Sequence, residues 1–218
     1  MYYSQFSQDQ IVNERYIKNR RGGVFVDVGA HNGILYNNSY FFEKELGWSG
    51  ICIEPMREEF EKLQKVRSSI NINACAFSRD GVVQFRKVED KQSQYAHSYN
   101  MLSGVVGQHS TNVRVEKFGL HSDLIDVPCV QLKTVFKQNK ISVVDYLSID
   151  TEGSELEVLK GIDFESVRIN IIDFEHNGVR EILSGAEEIL GRKGFEVAEN
   201  IQCDILYVNK NIKWSWDK

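Results

Sequence analysis

The first place where this chain could do chemistry is a carboxylate beside two glycines. Asp27 lies in the apolar run Val24-Phe25-Val26-Asp27-Val28, and Gly29 and Gly33 follow it in the pattern Asp-x-Gly-x-x-x-Gly. Glycines directly after a strand let the backbone turn tightly and let a ligand approach it closely. The spacing is not the Gly-x-Gly-x-x-Gly of dinucleotide sites, so it implies no pyrophosphate cradle. A carboxylate at that point would repel phosphate and suits a cationic group instead. Glu54 ends the next apolar run, Gly50-Ile51-Cys52-Ile53. An acidic side chain at a strand end of this kind can accept both hydroxyls of a ribose.

A second group of candidates follows two later runs. Asp150 and Glu152 come after Tyr146-Leu147-Ser148-Ile149, and Glu175, His176 and Asn177 come after Ile169 to Phe174. Neighbouring strand ends would present Asp150, Glu175 and His176 to one crevice. His176 titrates near neutrality and suits a general base that deprotonates a hydroxyl. Alternatively, Asp150 and Glu175 with His176 or Asn177 hold a divalent cation, Mg or Mn, which lowers the pKa of a bound oxygen. A purely structural polar network is the third reading. His97, His109 and His121 share no metal-ligand spacing and read as solvated or loop-packing residues.

These side chains need a scaffold, and the hydrophobic pattern supplies one. Strands are expected at Val24–Val28, Gly50–Glu54, Ile70–Phe77, Tyr146–Asp150, Ile169–Glu175, Phe195–Val197 and Ile205–Val208. Between them, helices are expected from Ser39 to Leu46 and after Pro55, where Met56, Phe60 and Leu63 share a face. Ser154-x-x-Glu157 fits a capping box for a helix carrying Leu156 and Leu159. Ile182, Leu183, Ala186, Ile189 and Leu190 make a further helical stripe. Asp80-Gly81 reads as a turn from which Val82–Phe85 returns as a hairpin strand. Strands alternating with helices imply a doubly wound, mostly parallel, Rossmann-like sheet with helices on both faces. Ligands of such sheets bind outside the carboxyl ends of the strands. One irregular, polar segment, about Glu89 to Val127, interrupts the pattern and reads as a lid or substrate loop, or as a mobile insertion.

Composition sets the outer limits. The chain has 218 residues, 42% hydrophobic and 26% charged, which is ordinary for a globular protein and suits one domain spanning 1–218. Its 26 basic and 31 acidic residues give a net charge of -5, which argues against nucleic acid or an anionic membrane as partner. No run approaches the ~20 apolar residues of a membrane span, and the first residues lack the pattern of a secretory leader. Cys52, Cys75, Cys129 and Cys203 form no Cys-x-x-Cys pair and read as buried free thiols in a reducing, cytoplasmic setting. Trp48, Trp214 and Trp216 read as packing or tail residues.

Several of these blocks share a resemblance. Phe25-Val26-Asp27-Val28-Gly29-Ala30-His31-Asn32-Gly33 resembles motif I of class I methyltransferases. Gly47-Trp48-Ser49-Gly50-Ile51-Cys52-Ile53-Glu54-Pro55 and Asp150-Thr151-Glu152-Gly153-Ser154-Glu155-Leu156-Glu157-Val158-Leu159-Lys160-Gly161 resemble the FkbM-type methyltransferases. Ser7-Gln8-Asp9 resembles an opening motif of one branch of that family, and the similarity runs from about Ser4 to Val208. The resemblance implies S-adenosylmethionine as cofactor and methylation of a hydroxyl, most often of a sugar or polyketide. It implies that Asp27, Gly29 and Gly33 line the methionine side, with Ala30, His31 and Asn32 of the same loop also at the cofactor. Glu54, with Pro55 after it, would hold the ribose, and Asn73 to Ala76, including Cys75 and Ala76, would pass the adenine. Gln8 and Asp9 would close over the cofactor, and Asp150 and Glu152 would border it at the fourth strand. A sugar hydroxyl on a glycan or nucleotide sugar is the preferred acceptor, with Tyr95, Tyr99 and Phe118 as aromatic faces for its ring. The rival readings are a nicotinamide oxidoreductase on a Rossmann sheet and a non-catalytic domain that binds the cofactor.

Overall fold

The computed structural model describes residues 1–88, 99–108, 115, 117 and 119–214. Tyr95, His97, His109, Phe118 and Trp216 lie outside the described residues. The chain begins with α1 (Gln8–Val12), a π-helical turn (Asn13–Ile17), β1 (Val24–Val28), α2 (Tyr40–Leu46), β2 (Ser49–Ile53) and α3 (Arg57–Val66). Next come β3 (Ile70–Ile72), β4 (Cys75–Ala76), β5 (Gly81–Val88), a 3-10 turn (Asn100–Leu102), β6 (Gly104–Val105) and β7 (Ser122–Val130). The last part holds α4 (Leu132–Asn139), β8 (Val143–Ile149), α5 (Glu155–Lys160), β9 (Arg168–Glu175), α6 (Arg180–Arg192), β10 (Phe195–Ile201) and β11 (Asp204–Asn209).

Seven strands form the main sheet in the order β10-β11-β9-β8-β1-β2-β3. Only β11 runs antiparallel to its neighbours, and the other pairings are parallel. Because side chains alternate along a strand, the sheet feeds two cores. Val26, Ile51, Leu147 and Ile172 pack with Val135 and Phe136 of α4, Val158 and Leu159 of α5 and Ile182, Ala186 and Leu190 of α6. Phe25, Cys52, Tyr146 and Ile171 pack on the other face with Val12, Ile17, Phe41, Phe42, Phe60 and Leu63. This is the doubly wound sheet with helices on both faces that the alternating pattern implies.

The same alternation places the polar residues. Two positions beyond Phe25, Tyr146 and Ile171 stand Asp27, Ser148 and Asp173, on the face covered by α1, α2 and α3. The register sets Cys52, Asp27, Ser148 and Asp173 side by side across four strands. One step further toward the carboxyl ends, Glu175 pairs with Asp204 of β11.

Three local expectations need correction. The run Ile70–Phe77 is not one strand: Ile70–Ile72 joins the main sheet, and Cys75–Ala76 pairs with Cys129–Val130 in a second sheet ordered β4-β7-β5-β6. Asn73 makes the break, donating its side-chain amide to the carbonyls of Glu54 and Pro55 at 2.8 and 3.0 Å. The strand after Asp80-Gly81 pairs with β7 and β6 rather than folding back as a hairpin, so part of the supposed irregular segment is sheet. The capping box does not form either. Glu157 binds Ser78 and Lys160 instead. Glu155, the first residue of α5, reaches back to the amides of Thr151 and Gly153 at 3.0 and 2.8 Å.

Gly29 is the tightest point of the scaffold. Its φ is +88°, and a Cβ there would lie 1.7 Å from the Asp150 carbonyl oxygen. Gly178, at φ +73°, has open space around it. Gly178→Ala should therefore cost only the backbone term, about 1–2 kcal/mol. Gly29→Ala must also push β1 and β8 apart and should lower stability by far more, or prevent folding. Urea denaturation of the two variants checks this order.

Candidate functional site

A cleft of about 1070 Å³, counted to its open mouth, lies at the carboxyl ends of β1, β2, β8 and β9. Its walls include Gln8, Asp27, Gly29, Ala30, His31, Glu54, Pro55, Cys75, Ala76, Asp150, Glu152 and Glu175. Several candidates from the sequence, among them Asn32, Gly33, Asn73, Tyr99, His176 and Asn177, are not among the lining residues. Asn32 spends its side-chain oxygen on the amides of Ile34 and Leu35. Gly33 packs against the Arg67 side chain, where a Cβ would meet Cγ at 2.9 Å. His176 accepts the Gly178 amide on Nδ1 at 3.1 Å, and its pKa is lowered by burial. Asp9 also turns inward: it is fully buried and accepts the amides of Tyr3, Ser4 and Gln10, fixing the N-terminal segment.

Behind the glycine loop sits a buried guanidinium. The Arg67 side chain has no exposed surface. It pairs with Glu43 at 2.6 Å and donates to the Gly33 carbonyl, Asn37 Oδ1 and Ser39 Oγ at 3.2, 3.0 and 2.8 Å. Asn37 and Ser39 in turn donate to Asp27 Oδ2 at 2.8 and 2.6 Å. Burial raises the Asp27 carboxyl above its ordinary value, while Arg67 and these two donors offset part of the rise. The carboxylate is thus held in place with a cation behind it and the cleft in front.

Glu54 is positioned by the backbone. Its Oε2 accepts the His31 amide and its Oε1 the Met56 amide, both at 2.8 Å. Burial pushes its pKa up to about 8, although both amides favour the charged form. Next to it, His31 Nε2 lies 3.4 Å from Glu59 Oε2, and Glu59 Oε1 accepts Asn100 Nδ2 at 2.9 Å. This chain of contacts brings the 3-10 turn of the second sheet to the Glu54 end of the cleft. Phe85 of β5 and Val105 of β6, opposite one another in the register, pack there with Met56 and Cys75. Phe85, Asn100, Met101, Ser103 and Val105 all line the cleft.

The opposite end is acidic. Asp150, Glu152 and Glu175 place carboxylate oxygens within 4.8 Å of one another. His176, grouped with Asp150 and Glu175 from the sequence, is not part of this cluster, and Glu152 is. Glu152 gets there through a backbone φ of +57°. Burial, with the charges of Asp150, Glu152 and Glu155 beside it, holds the Glu175 carboxyl well above the usual carboxylate range. Asp204 closes this end: its Oδ2 accepts Gln8 Nε2 at 3.0 Å, tying α1 to β11. The N-terminal segment is also bridged to the loop after motif Asp27–Gly33, through Ser4 and Tyr36.

Sequence reasoning missed Asp204, Asn38, Tyr36, Phe85 and Asn100 as lining residues. Asp204 opens a strand rather than closing one, so its place here depends on β11 running antiparallel. Phe85 and Asn100 arrive through the second sheet. A pattern of alternating burial was present in Val83 and Phe85, but nothing local said which strand they would face.

The family model described as "Methyltransferase FkbM domain" matches residues 27–197. No curated protein matches the chain. Among solved structures, methyltransferase FkbM from Methylobacillus flagellatus KT aligns at 15% identity with a TM-score of 0.52, over 86% of this chain and 43% of that one. The chain thus spans less than half the length of that relative. The N-terminal domain of human METTL16 aligns at 12% identity and TM-score 0.47, over 94% of this chain and 67% of that one. Aeropyrum pernix fibrillarin, solved with natively bound S-adenosyl-L-methionine, aligns at 9% identity and TM-score 0.44, over 94% and 73%.

Removing the Arg67 charge tests the buried network. Arg67→Met keeps the apolar stem but leaves Asp27 and Glu43 without their cation. Truncating one partner of a buried pair typically costs about 3–5 kcal/mol. Chemical denaturation should show a loss of that size, whereas Arg57→Ala, at the exposed pair with Glu61, should change the midpoint little.

Proposed function

The chain belongs to the FkbM methyltransferase family, and we propose that it transfers the methyl group of S-adenosylmethionine to a hydroxyl of a sugar, in a glycan or a nucleotide sugar. The observation that carries this reading is the polarity of the cleft. One end joins a backbone-held carboxylate, Glu54, to an apolar wall, and the other end gathers Asp150, Glu152 and Glu175. A nucleoside suits the first end, with its ribose on Glu54 and its base against Cys75, Phe85 and Val105. Gly29, Ala30 and Asp27 would hold the methionine part, with Asp27 answering its ammonium group. When bound there, the cofactor would supply its sulfonium methyl to an acceptor at the acidic end.

The reaction is an in-line displacement. An acceptor oxygen lone pair forms the new O–CH₃ bond, the C–S bond breaks with its electrons going to sulfur, and the hydroxyl proton leaves to a base or to water. Holding oxygen, carbon and sulfur in line supplies much of the acceleration. Deprotonation falls to the ends of β8 and β9, by a base or with a divalent cation such as Mg or Mn. His176 lies outside the cleft lining, which counts against it as a direct base and favours the carboxylates. A cytoplasmic setting, which four free thiols suit, completes the proposal.

The placement of the second sheet changes what its residues should do. Phe85→Ala should weaken S-adenosylmethionine more than it raises the acceptor KM, because Phe85 packs with Met56 and Cys75 rather than at the acidic end. Calorimetry with the cofactor and its product, beside acceptor kinetics, separates the two effects.

Glu54 gives a pH signature. With a pKa near 8 in the free site, it is mostly protonated at pH 7. Two ribose hydroxyls donate best to the charged form, so binding should expel a proton. Cofactor affinity should rise with pH up to about 8 and then level off. Titration calorimetry at pH 7 in buffers of different ionisation heat should register proton release, absent in Glu54→Ala. That variant should also bind about ten- to a hundredfold more weakly, the usual effect of losing charged hydrogen bonds.

The function itself is tested by incubating the chain with S-adenosylmethionine and a panel of glycans and nucleotide sugars. Mass spectrometry should find one added methyl group, and fragmentation should place it on a sugar oxygen. Methylation of only nitrogen or carbon acceptors would replace this reading.

A further inference from the structure

We propose that Asp150, Glu152 and Glu175 form a binding site for one hard divalent cation, of the Mg or Mn class, at the acceptor end of the cleft. The inference rests on the methyl-transfer reading for its purpose and on geometry for its existence. The ligand atoms of the three residues all lie within 4.8 Å of one another. Three oxygens at that limit lie about 2.8 Å from a common centre, and a closure of a few tenths of an ångström or more brings them to the roughly 2.0–2.6 Å bonds of hard divalent cations. An all-oxygen set selects such ions over zinc or copper.

An acidic cluster alone would not be enough, because exposed carboxylates gather on many surfaces. Here the central one is buried. Glu175 is 7% exposed, and its Oε2 has no hydrogen-bond donor. A buried carboxylate oxygen without a donor is costly to keep, and a neighbouring carboxylate makes it costlier. A cation placed among the three carboxylates relieves that arrangement.

The surroundings keep Glu152 in the set. Its backbone conformation is left-handed, and Gly153 after it has φ +119°. Glu155 fixes this turn through the Thr151 and Gly153 amides, and Asn177 Nδ2 reaches Glu152 Oε2 at 3.5 Å. Asp150, Glu152 and Glu175 all line the cleft, so an ion among them keeps a side open to an acceptor hydroxyl. It would lower the pKa of that hydroxyl at the place where the methyl group arrives.

The test measures binding directly, with no acceptor present. Mn²⁺ is titrated into the whole chain with S-adenosylhomocysteine added, and free Mn²⁺ is followed by electron paramagnetic resonance. One saturable equivalent is expected. Glu152→Gln and Glu175→Gln, each near-isosteric, should weaken it at least about ten- to a hundredfold, whereas His176→Ala should retain it. Melting curves guard against misfolding: Mn²⁺ should raise the melting temperature of the wild type and not of Glu175→Gln. No saturable binding to the folded wild type would overturn the site, as would unchanged binding in both Gln variants. Loss in His176→Ala equal to that in Glu152→Gln would overturn this ligand set. A failure to methylate sugars leaves these readings intact, while methyl transfer at full rate in EDTA without Mn²⁺ binding would remove the ion and spare the enzyme.

Discussion

A charge buried without solvent must be answered by other groups, and in this protein Arg67 meets that demand for one wall of the site. Its guanidinium joins α3 to the glycine loop, to the Asn37–Ser39 turn before α2 and to Glu43 within α2. The guanidinium carbon also lies over the rings of Phe25 and Tyr40, 5.1 and 5.4 Å from their centroids. Asp27 can stay at the floor of a cleft because this cation stands behind it. Without such a partner, a carboxylate at that depth would have to take up a proton, and its use for a cationic ligand would be lost.

The acidic end follows the opposite logic. Glu175, Asp173 and Asp204 are buried close together, and their pKa values are all raised. Tyr146 answers Asp173 with a hydrogen bond of 2.7 Å, and Gln8 answers Asp204. Neither donor carries charge. One side of the cleft is therefore neutralised internally, while the other keeps its demand for a proton or a cation. This asymmetry gives the cleft a direction, and a ligand with a positive centre between two polar ends has one favourable orientation in it.

Much of this was legible from residue order. Strand-like runs around Asp27, Glu54, Asp150 and Glu175 put those carboxylates at strand ends, and period two then put Asp27 and Glu175 on one face. Illegible features depended on long-range pairing or on backbone choice. Phe85 enters the cleft because β5 finds β7, some 40 positions on, and Cys75 leaves the third strand because Asn73 captures two carbonyls of another loop. Glu152 joins Asp150 and Glu175 while His176 does not, for a reason no side-chain pattern carries: the backbone at Glu152 is left-handed, and the turn at Gly178 occupies His176 Nδ1. The capping box failed similarly, since Glu157 met Ser78 from another segment.

The Gln8–Asp204 hydrogen bond joins residues 196 positions apart. Loop closure over such a length is entropically costly and comes only after the intervening contacts have formed. Asp204 begins β11, which must slot antiparallel between β9 and β10 before Gln8 has anything to hold. On a ribosome, the glycine loop and Glu54 would emerge early and remain an unfinished half-site until that strand arrives. The wall formed by the N-terminal segment is thus among the last parts of the fold to close, and cofactor binding reports on the completeness of the whole chain rather than on its first half.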